Sequence, residues 1–249
     1  MHYIFDVDGT LTPSRGKMDS EFAAFFEHFA THNAVYLVTG SDREKTLEQI
    51  PKSIYSLCMR VYQCSGNDVW EQDRRIHSGI LELPKEIHDT FDYWIKASQF
   101  DHKQGNHIDQ RAGLVNFSIL GRPASDLDRK AYISWDEVTD ERKTIAWCLD
   151  DAFGDKFNFQ IAGETGIDIT AKGAGKEQVL TDFDESDNII FIGDKCEKGG
   201  NDHGLVQALM ARNDGGTPHD GGNSFAYGPS KFYNVDSWED TWEILKRIS

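Results

Sequence analysis

The apolar run Tyr3-Ile4-Phe5 is cut off by acidic, glycine and threonine residues, which reads as a short buried strand ending in a turn. Phe22, Phe25, Phe26 and Phe29 then recur at helical spacing, with Asp19 or Ser20 available as the N-cap, so a helix with an apolar core face is expected. Ala34 to Val38 has the length and composition of a buried strand, broken by Thr39-Gly40-Ser41-Asp42. A helix through Thr46, Leu47 and Ile50 stops at Pro51, and Val61 to Cys64 forms another short strand. Strand and helix alternate, which predicts a parallel sheet.

The middle of the chain changes rhythm. Ile87, Phe91, Trp94 and Ile95 mark an amphipathic helix. Gly113 to Ile119 alternates roughly as a half-buried strand, a helix is centred on Ile145 to Leu149, and alternation returns at 157–161 and 167–169. From Gly175 to Phe183 a helix is expected, then a buried strand over Asn188 to Ile192, a helix over Val206 to Arg212, a glycine-rich loop over 215–228, and a closing helix marked by Trp238, Trp242 and Leu245. The simplest organisation is an α/β sheet domain, 1–80 and 174–249, interrupted by an inserted α+β unit over 81–173.

Charge narrows the partners. A formal net charge of -16 over 249 residues makes nucleic acid or an anionic membrane an unfavourable partner, so any anionic substrate needs a local island of Arg and Lys. The cysteines, Cys58, Cys64, Cys148 and Cys196, show no metal-ligand or paired spacing and read as reduced thiols in a cytoplasmic protein. Asp6 and Asp8 fall where a secretory leader would need apolar residues, and no apolar run reaches membrane-spanning length.

Candidate chemistry collects at strand ends. Alternate residues of a strand share a face, so Asp6 and Asp8 are expected to reach one reacting centre. One carboxylate can attack phosphorus and the other can move a proton to and from the leaving oxygen, with a hard cation offsetting their repulsion. Gly9 permits the sharp turn. Thr39 and Ser41 close the second parallel strand, a common strand-to-helix turn that could also hold a phosphate. Lys176 follows a glycine-rich approach; alone it reads as an exposed lysine, otherwise as a neutralising cation. Asp194 ends the apolar strand and could complete a site of oxygen ligands, with Asn201 orienting a phosphate or a carboxylate and Asp202 behind the ligands; His203 could be a ligand but reads better as a structural helix-start residue. Arg111, Arg122 and Arg129 read equally well as an anion clamp or as solvated charges balancing Asp126 and Asp128.

Taken together, Asp6 to Thr10, the Thr39 turn, Lys176, and Gly193 to Asp202 resemble the four ordered motifs of the haloacid dehalogenase superfamily of phosphotransferases. More narrowly, residues 111–129 and 193–203 resemble the eukaryotic-type phosphomannomutases, over essentially the whole chain. The resemblance implies a Rossmann-like parallel-sheet core with an inserted cap. It implies a Mg²⁺-dependent enzyme that interconverts mannose 6-phosphate and mannose 1-phosphate, feeding GDP-mannose formation, with a hexose 1,6-bisphosphate as activator. A sugar-phosphate phosphatase of the same superfamily is the alternative, and a homodimer is admissible. It implies Asp6 as nucleophile, Asp8 as general acid/base, and Mg²⁺ on Asp6, the Asp8 carbonyl and Asp194. Phosphate would lie on Thr39, Ser41, Lys176 and Asn201, the distal phosphate and sugar on Arg111, Arg122, Arg129 and Asp168, and Asp202 would act behind the metal. The chain departs from the family at Ala174-Gly175, where Trp-Asp is usual, at Gly166, where a phosphate-binding serine is usual, and at Ser65 to Asp68. The acidic cation-holding loop after the fourth motif has no counterpart at Gly204 to Gln207.

Overall fold

A computed structural model describes residues 1–212 and 230–248, so the expected glycine-rich loop at 215–228 lies outside the described residues. The chain divides into two compact units, one formed by Met1–Ser78 with Ala174–Ser249 and the other by Gly79–Gly173.

The first unit is built on a seven-stranded sheet. The chain runs through β1 (His2–Phe5), α1 (Ser20–His32), β2 (Ala34–Val38), α2 (Arg43–Gln49), α3 (Lys52–Leu57) and β3 (Arg60–Gln63), then a hairpin of β4 (Asp68–Glu71) and β5 (Arg74–Ser78). Asp19 caps α1, its Oδ1 accepting from the amides of Glu21 and Phe22, and Asp42 caps α2 by accepting from the Lys45 amide, each satisfying donors a helix start leaves open.

The second unit holds α4 (Lys85–Ala97), β6 (Asn106–Arg111), β7 (Leu114–Arg122), α5 (Asp126–Thr139), α6 (Glu141–Phe153), β8 (Phe157–Ala162) and β9 (Gly166–Ala171). The chain then returns to the first sheet with β10 (Ile189–Gly193), α7 (His203–Arg212), β11 (Lys231–Asn234) and α8 (Trp238–Ile248).

In the first sheet the order is β11-β10-β1-β2-β3-β4-β5. The pairs from β11 to β3 are parallel, and β4 and β5 add an antiparallel edge. The parallel core that the alternation predicts is present, with an antiparallel hairpin added at one edge. Both faces are covered. Tyr3 and Phe5 pack with Phe22, Phe26 and Phe29 of α1, while Ile4, Phe191 and Val38 pack on the other side with Val179, Leu205 and Leu209. Strands buried on both faces read as continuous apolar runs, which is why β1, β2 and β10 are legible. From β1 the chain goes to β2 and β3 on one side and returns to β10 and β11 on the other, so the carboxyl end of β1 is the switch point where such sheets bind ligands. The segment Lys176–Asp182 winds as a 3-10 helix rather than the expected α-helix.

The second unit has a four-stranded antiparallel sheet, order β6-β7-β9-β8. Val115, Phe117, Ile119, Ile167 and Ile169 point to one core with Ile87 and Phe91 of α4, Tyr132 of α5, and Ile145 and Leu149 of α6. The intervening residues Asn116, Ser118, Asp168 and Thr170 therefore share the opposite, polar face. These polar residues are also buried, so β7 is covered along nearly its whole length rather than half-buried. Arg111 ends β6, just before β7, and Arg122 is the last residue of β7.

Candidate functional site

At the switch point four segments bring charged side chains into one buried cluster. The strand pattern runs one residue beyond β1, the Asp6 amide donating to the Ile192 carbonyl at 2.9 Å, which fixes Asp6 at the strand end. Lys176 Nζ donates to Asp6 Oδ1 at 2.6 Å and to Asp202 Oδ1 at 2.6 Å. The lysine side chain is 0% exposed, so it is far from the surface lysine its sequence context suggests. Asp6, Asp194 and Asp202 each offer a carboxylate oxygen, all within 4.8 Å of one another. Gly9 makes this approach workable: its φ is +81°, and a Cβ there would sit 2.5 Å from Asp194 Oδ2. Gly193 likewise leaves room for Asp202, whose Oδ2 accepts from the Lys195 amide at 3.0 Å.

The electrostatics follow from three carboxylates around one buried ammonium. Burial pushes the Asp6 carboxyl well above the usual carboxylate range; Lys176 opposes this, and Asp202 and Asp194 add to it. Burial, with Asp202 behind it, pushes Asp194 up to about 6, against the pull of Lys195. Burial pulls the Lys176 ammonium down, but Asp202 and Asp6 overrule it and hold it above the ordinary lysine value. The cluster carries excess negative charge in a low-dielectric place, and its oxygen-only donor set fits a hard divalent cation.

Asp8 takes different partners. Its Oδ1 accepts from the Arg15 amide at 2.6 Å and from Gln49 Nε2 at 2.9 Å, and its Oδ2 accepts from Ser41 Oγ at 3.4 Å. Thr39 is buried, and its Oγ1 accepts from the Ser41 amide at 3.0 Å. Thr39 and Ser41 thus form one turn, and that turn faces Asp8. Asn201 stands next to Asp202 with its Oδ1 buried and without a hydrogen-bond partner among the described residues. His203 opens α7 and its Nδ1 meets the Cys196 carbonyl at 3.0 Å, the structural place expected of it.

Sequence reasoning missed the residues that hold Lys176. Asn67 Nδ2 and Gln178 Nε2 both donate to the Ala174 carbonyl, each at 2.9 Å, two residues before the lysine. Gln178 Nε2 also donates to the Ser65 carbonyl at 2.8 Å, and Asn67 Nδ2 to the Cys64 carbonyl at 2.8 Å. Cys64 and Ser65 have φ of 49° and 59°, left-handed values uncommon for side-chain-bearing residues. Nothing in composition or periodicity marks such a clasp.

The second unit links Arg111 and Arg122 at the polar face of its sheet, with Arg129 on α5. Arg111 Nη2 donates to Asp109 Oδ2 at 2.7 Å, and Arg122 Nη1 donates to the same oxygen at 3.2 Å. Arg122 Nη2 donates to Asn116 Oδ1 at 2.6 Å, and Asn116 Nδ2 donates to Asp168 Oδ1 at 2.6 Å. Arg129 pairs with Glu164. Burial pushes the Arg122 guanidinium below its ordinary value, and Arg111 and Arg129 push the same way against Asp109 and Asp168. Arg122 therefore lies within electrostatic reach of both other arginines.

The model of the eukaryotic phosphomannomutase family matches residues 22–213. The chain belongs to the eukaryotic phosphomannomutase family. Phosphomannomutase of Nicotiana benthamiana is 32% identical over 213 residues, 82% of this chain and 84% of that protein. The enzyme of Oryza sativa subsp. indica is 32% identical over the same length. Among solved structures, the C-terminal domain of C. albicans trehalose-6-phosphate phosphatase superposes with a TM-score of 0.64 at 15% identity, covering 99% of this chain and 90% of that one. A haloacid dehalogenase-like hydrolase from Bacteroides thetaiotaomicron gives 0.51 at 13% identity over 83% of this chain and 84% of its own. These likenesses show the haloacid dehalogenase-type fold.

For a phosphomannomutase, Gly166 is a departure with a local cause. A Cβ at 166 would lie 2.5 Å from Asn116 Nδ2, so the Asn116 amide fills the space a serine would need. Gly66 departs similarly: its φ is +92° and a Cβ there would press on Gln178. Of the residues expected to act, Asp6, Lys176, Asp194 and Asp202 come together, Asp8 joins Ser41, and Arg111, Arg122 and Asp168 are linked through Asp109 and Asn116.

Proposed function

We propose that this protein is a Mg²⁺-dependent phosphomannomutase, interconverting mannose 6-phosphate and mannose 1-phosphate through an aspartyl-phosphate and a hexose 1,6-bisphosphate. The observation that supports this best is the Lys176 ammonium held between Asp6 and Asp202 beside Asp194, at the carboxyl end of β1. Mg²⁺ on Asp6, Asp194 and the Asp8 carbonyl, with Asp202 behind them, would offset the charge of the phosphoryl group and its attacker.

The chain's own residues account for the rest. An Asp6 oxygen attacks phosphorus while the bond to the sugar oxygen breaks, and Asp8 gives its proton to that oxygen. In the return step Asp8 takes the proton from the incoming hydroxyl, and the aspartyl-phosphate bond breaks. Lys176 keeps Asp6 oriented and offsets charge on the transferring group, which Thr39, Ser41 and Asn201 also contact. Phosphate oxygens accept, so the amide nitrogen of Asn201 is the part that serves a phosphate. Arg111, Arg122 and Arg129 bind the phosphate that is not reacting, exchanging Asp109 and Glu164 for it, and Asp168 accepts from a sugar hydroxyl.

The test is a product assay on mannose 1-phosphate, with and without a hexose 1,6-bisphosphate, following isomerisation and free phosphate together. Bisphosphate-dependent isomerisation is the expected result. Phosphate release without isomerisation, unaffected by bisphosphate, would replace the mutase with a phosphatase.

A further inference from the structure

The last residue of α2, Gln49, is buried, with 2% of its surface exposed, and its side-chain amide points at Asp8. Nε2 lies 2.9 Å from Asp8 Oδ1 and 3.2 Å from Thr12 Oγ1. The Thr12 hydroxyl donates its proton to the Val7 carbonyl, so toward Gln49 it can only accept. Two acceptors therefore fix which way the amide faces; turned over, its oxygen would meet a carboxylate. That orientation has a cost. Oε1 is buried with no hydrogen-bond partner among the described residues, a state that destabilises a fold unless something else requires it. An apolar side chain of the same length would avoid the penalty. The main chain of the same residue is also used, the Met18 amide donating to the Gln49 carbonyl at 2.9 Å, which ties the loop after Asp8 to α2.

We infer that Gln49 is a positioning residue for Asp8, holding its carboxyl group in the one orientation from which it can hand a proton to the leaving oxygen. The Arg15 amide and Gln49 Nε2 both grip Oδ1, at 2.6 and 2.9 Å, which leaves Oδ2, among the described residues, with only the long contact to Ser41 Oγ. Oδ2 is then the oxygen that carries the transferable proton. As the bond between phosphorus and the sugar oxygen breaks and Asp6 bonds to phosphorus, the proton moves from Oδ2 to the sugar oxygen, and Oδ1 keeps its donors throughout. Loss of the Gln49 donor would let the carboxyl group rotate, and small misplacements of a proton donor are costly in rate. This rests on Asp8 being the general acid/base.

The test uses leaving groups. A general acid matters most where the departing oxygen is basic, as in mannose 1-phosphate, and least where it is not, as in 4-nitrophenyl phosphate. Gln49→Met keeps length and volume and removes the donor; Gln49→Asn keeps the amide and withdraws it by one methylene. Both full-length variants, with Asp8→Asn beside them, are compared with the parent by kcat/KM on the two esters. Asp8→Asn should widen the ratio between the esters most, and each Gln49 variant should widen it by about tenfold, a fraction of what a general acid supplies. If Asp8→Asn widens the ratio and both Gln49 variants lower the two esters equally, Gln49 is only structural and the inference is overturned while Asp8 stands. If Asp8→Asn leaves the ratio unchanged, the Asp8 assignment itself fails and takes the inference with it.

Discussion

The two polar centres of this molecule handle charge in opposite ways. At the end of β1, Asp6, Asp194 and Asp202 converge on a single buried lysine, leaving acid in excess. In the second unit, Arg111 of β6 and Arg122 of β7 are matched by Asp109, and Arg129 of α5 by Glu164, with Asn116 and Asp168 extending the network. The first leaves negative charge in excess, which suits the cation and phosphoryl group proposed for it. The second is balanced, and the proposed function has its acids give way to an anion. The means of construction differ too. Backbone fixes the first, through the ends of β1 and β10 and the clasped approach to Lys176, whereas side chains on one sheet face make the second. A buried charge without its partner is far more costly than a part-exposed one, so the two centres should respond differently to the loss of a single cation.

The largest expected effect is at Lys176. Lys176→Met leaves Asp6 and Asp202 buried beside Asp194 with no ammonium, and should lower stability by about 3–5 kcal/mol. Urea unfolding of metal-free protein measures it. A loss under about 1 kcal/mol would mean that the carboxylates take up protons readily and that Lys176 is not what balances them.

Arg122→Ala comes next. Its charge-assisted bonds to the distal phosphate should be worth on the order of 1.5–3 kcal/mol in isomerisation, roughly 10- to 150-fold. Hydrolysis of a small ester without a second phosphate should suffer less, and more bisphosphate should be needed for activation. Equal losses on both substrates would mean that the arginine face serves the fold and not the anion.

The smallest effect is at Asp194. In the metal-free folded protein its carboxyl keeps a proton up to about pH 6, whereas the unfolded chain releases it near pH 4. The folded state therefore binds more protons between these values, and stability falls as pH rises through that window. Asp194→Asn lacks this cost and should be more stable than the parent at pH 7.5, on the order of 1–3 kcal/mol, with the gap closing by pH 4. Unfolding measured in a chelator at both pH values checks it, and a gap independent of pH would remove Asp194 from the excess of charge.

Legibility in the sequence divides along the same line. The parallel strands were readable because burial on both faces leaves unbroken apolar runs, and α1 because its phenylalanines keep helical spacing. The β4–β5 hairpin was not, since Arg74 to Ser78 is exposed along its whole length and carries no period. The polar strand β6 and the short helix α3 after Pro51 escaped for the same lack of pattern. In the site, strand-end acids announce themselves by position. Lys176 does not, because the groups that bury it are 170 residues before and 26 residues after it in the chain. Gln49, Asn67 and Gln178 are single amides whose roles exist only through distant partners. Asn116 was passed over inside a strand, though it links Arg122 to Asp168.

The central claim is that the unbalanced cluster makes Asp6 the phosphoryl acceptor. The direct measurement is to mix the protein with hexose 1,6-bisphosphate carrying labelled phosphate, quench in acid, and locate the label by peptide mapping. The account predicts a hydroxylamine-sensitive label on Asp6, dependent on Mg²⁺ and missing from Asp6→Asn. Label on another residue, or label retained in Asp6→Asn, would contradict it.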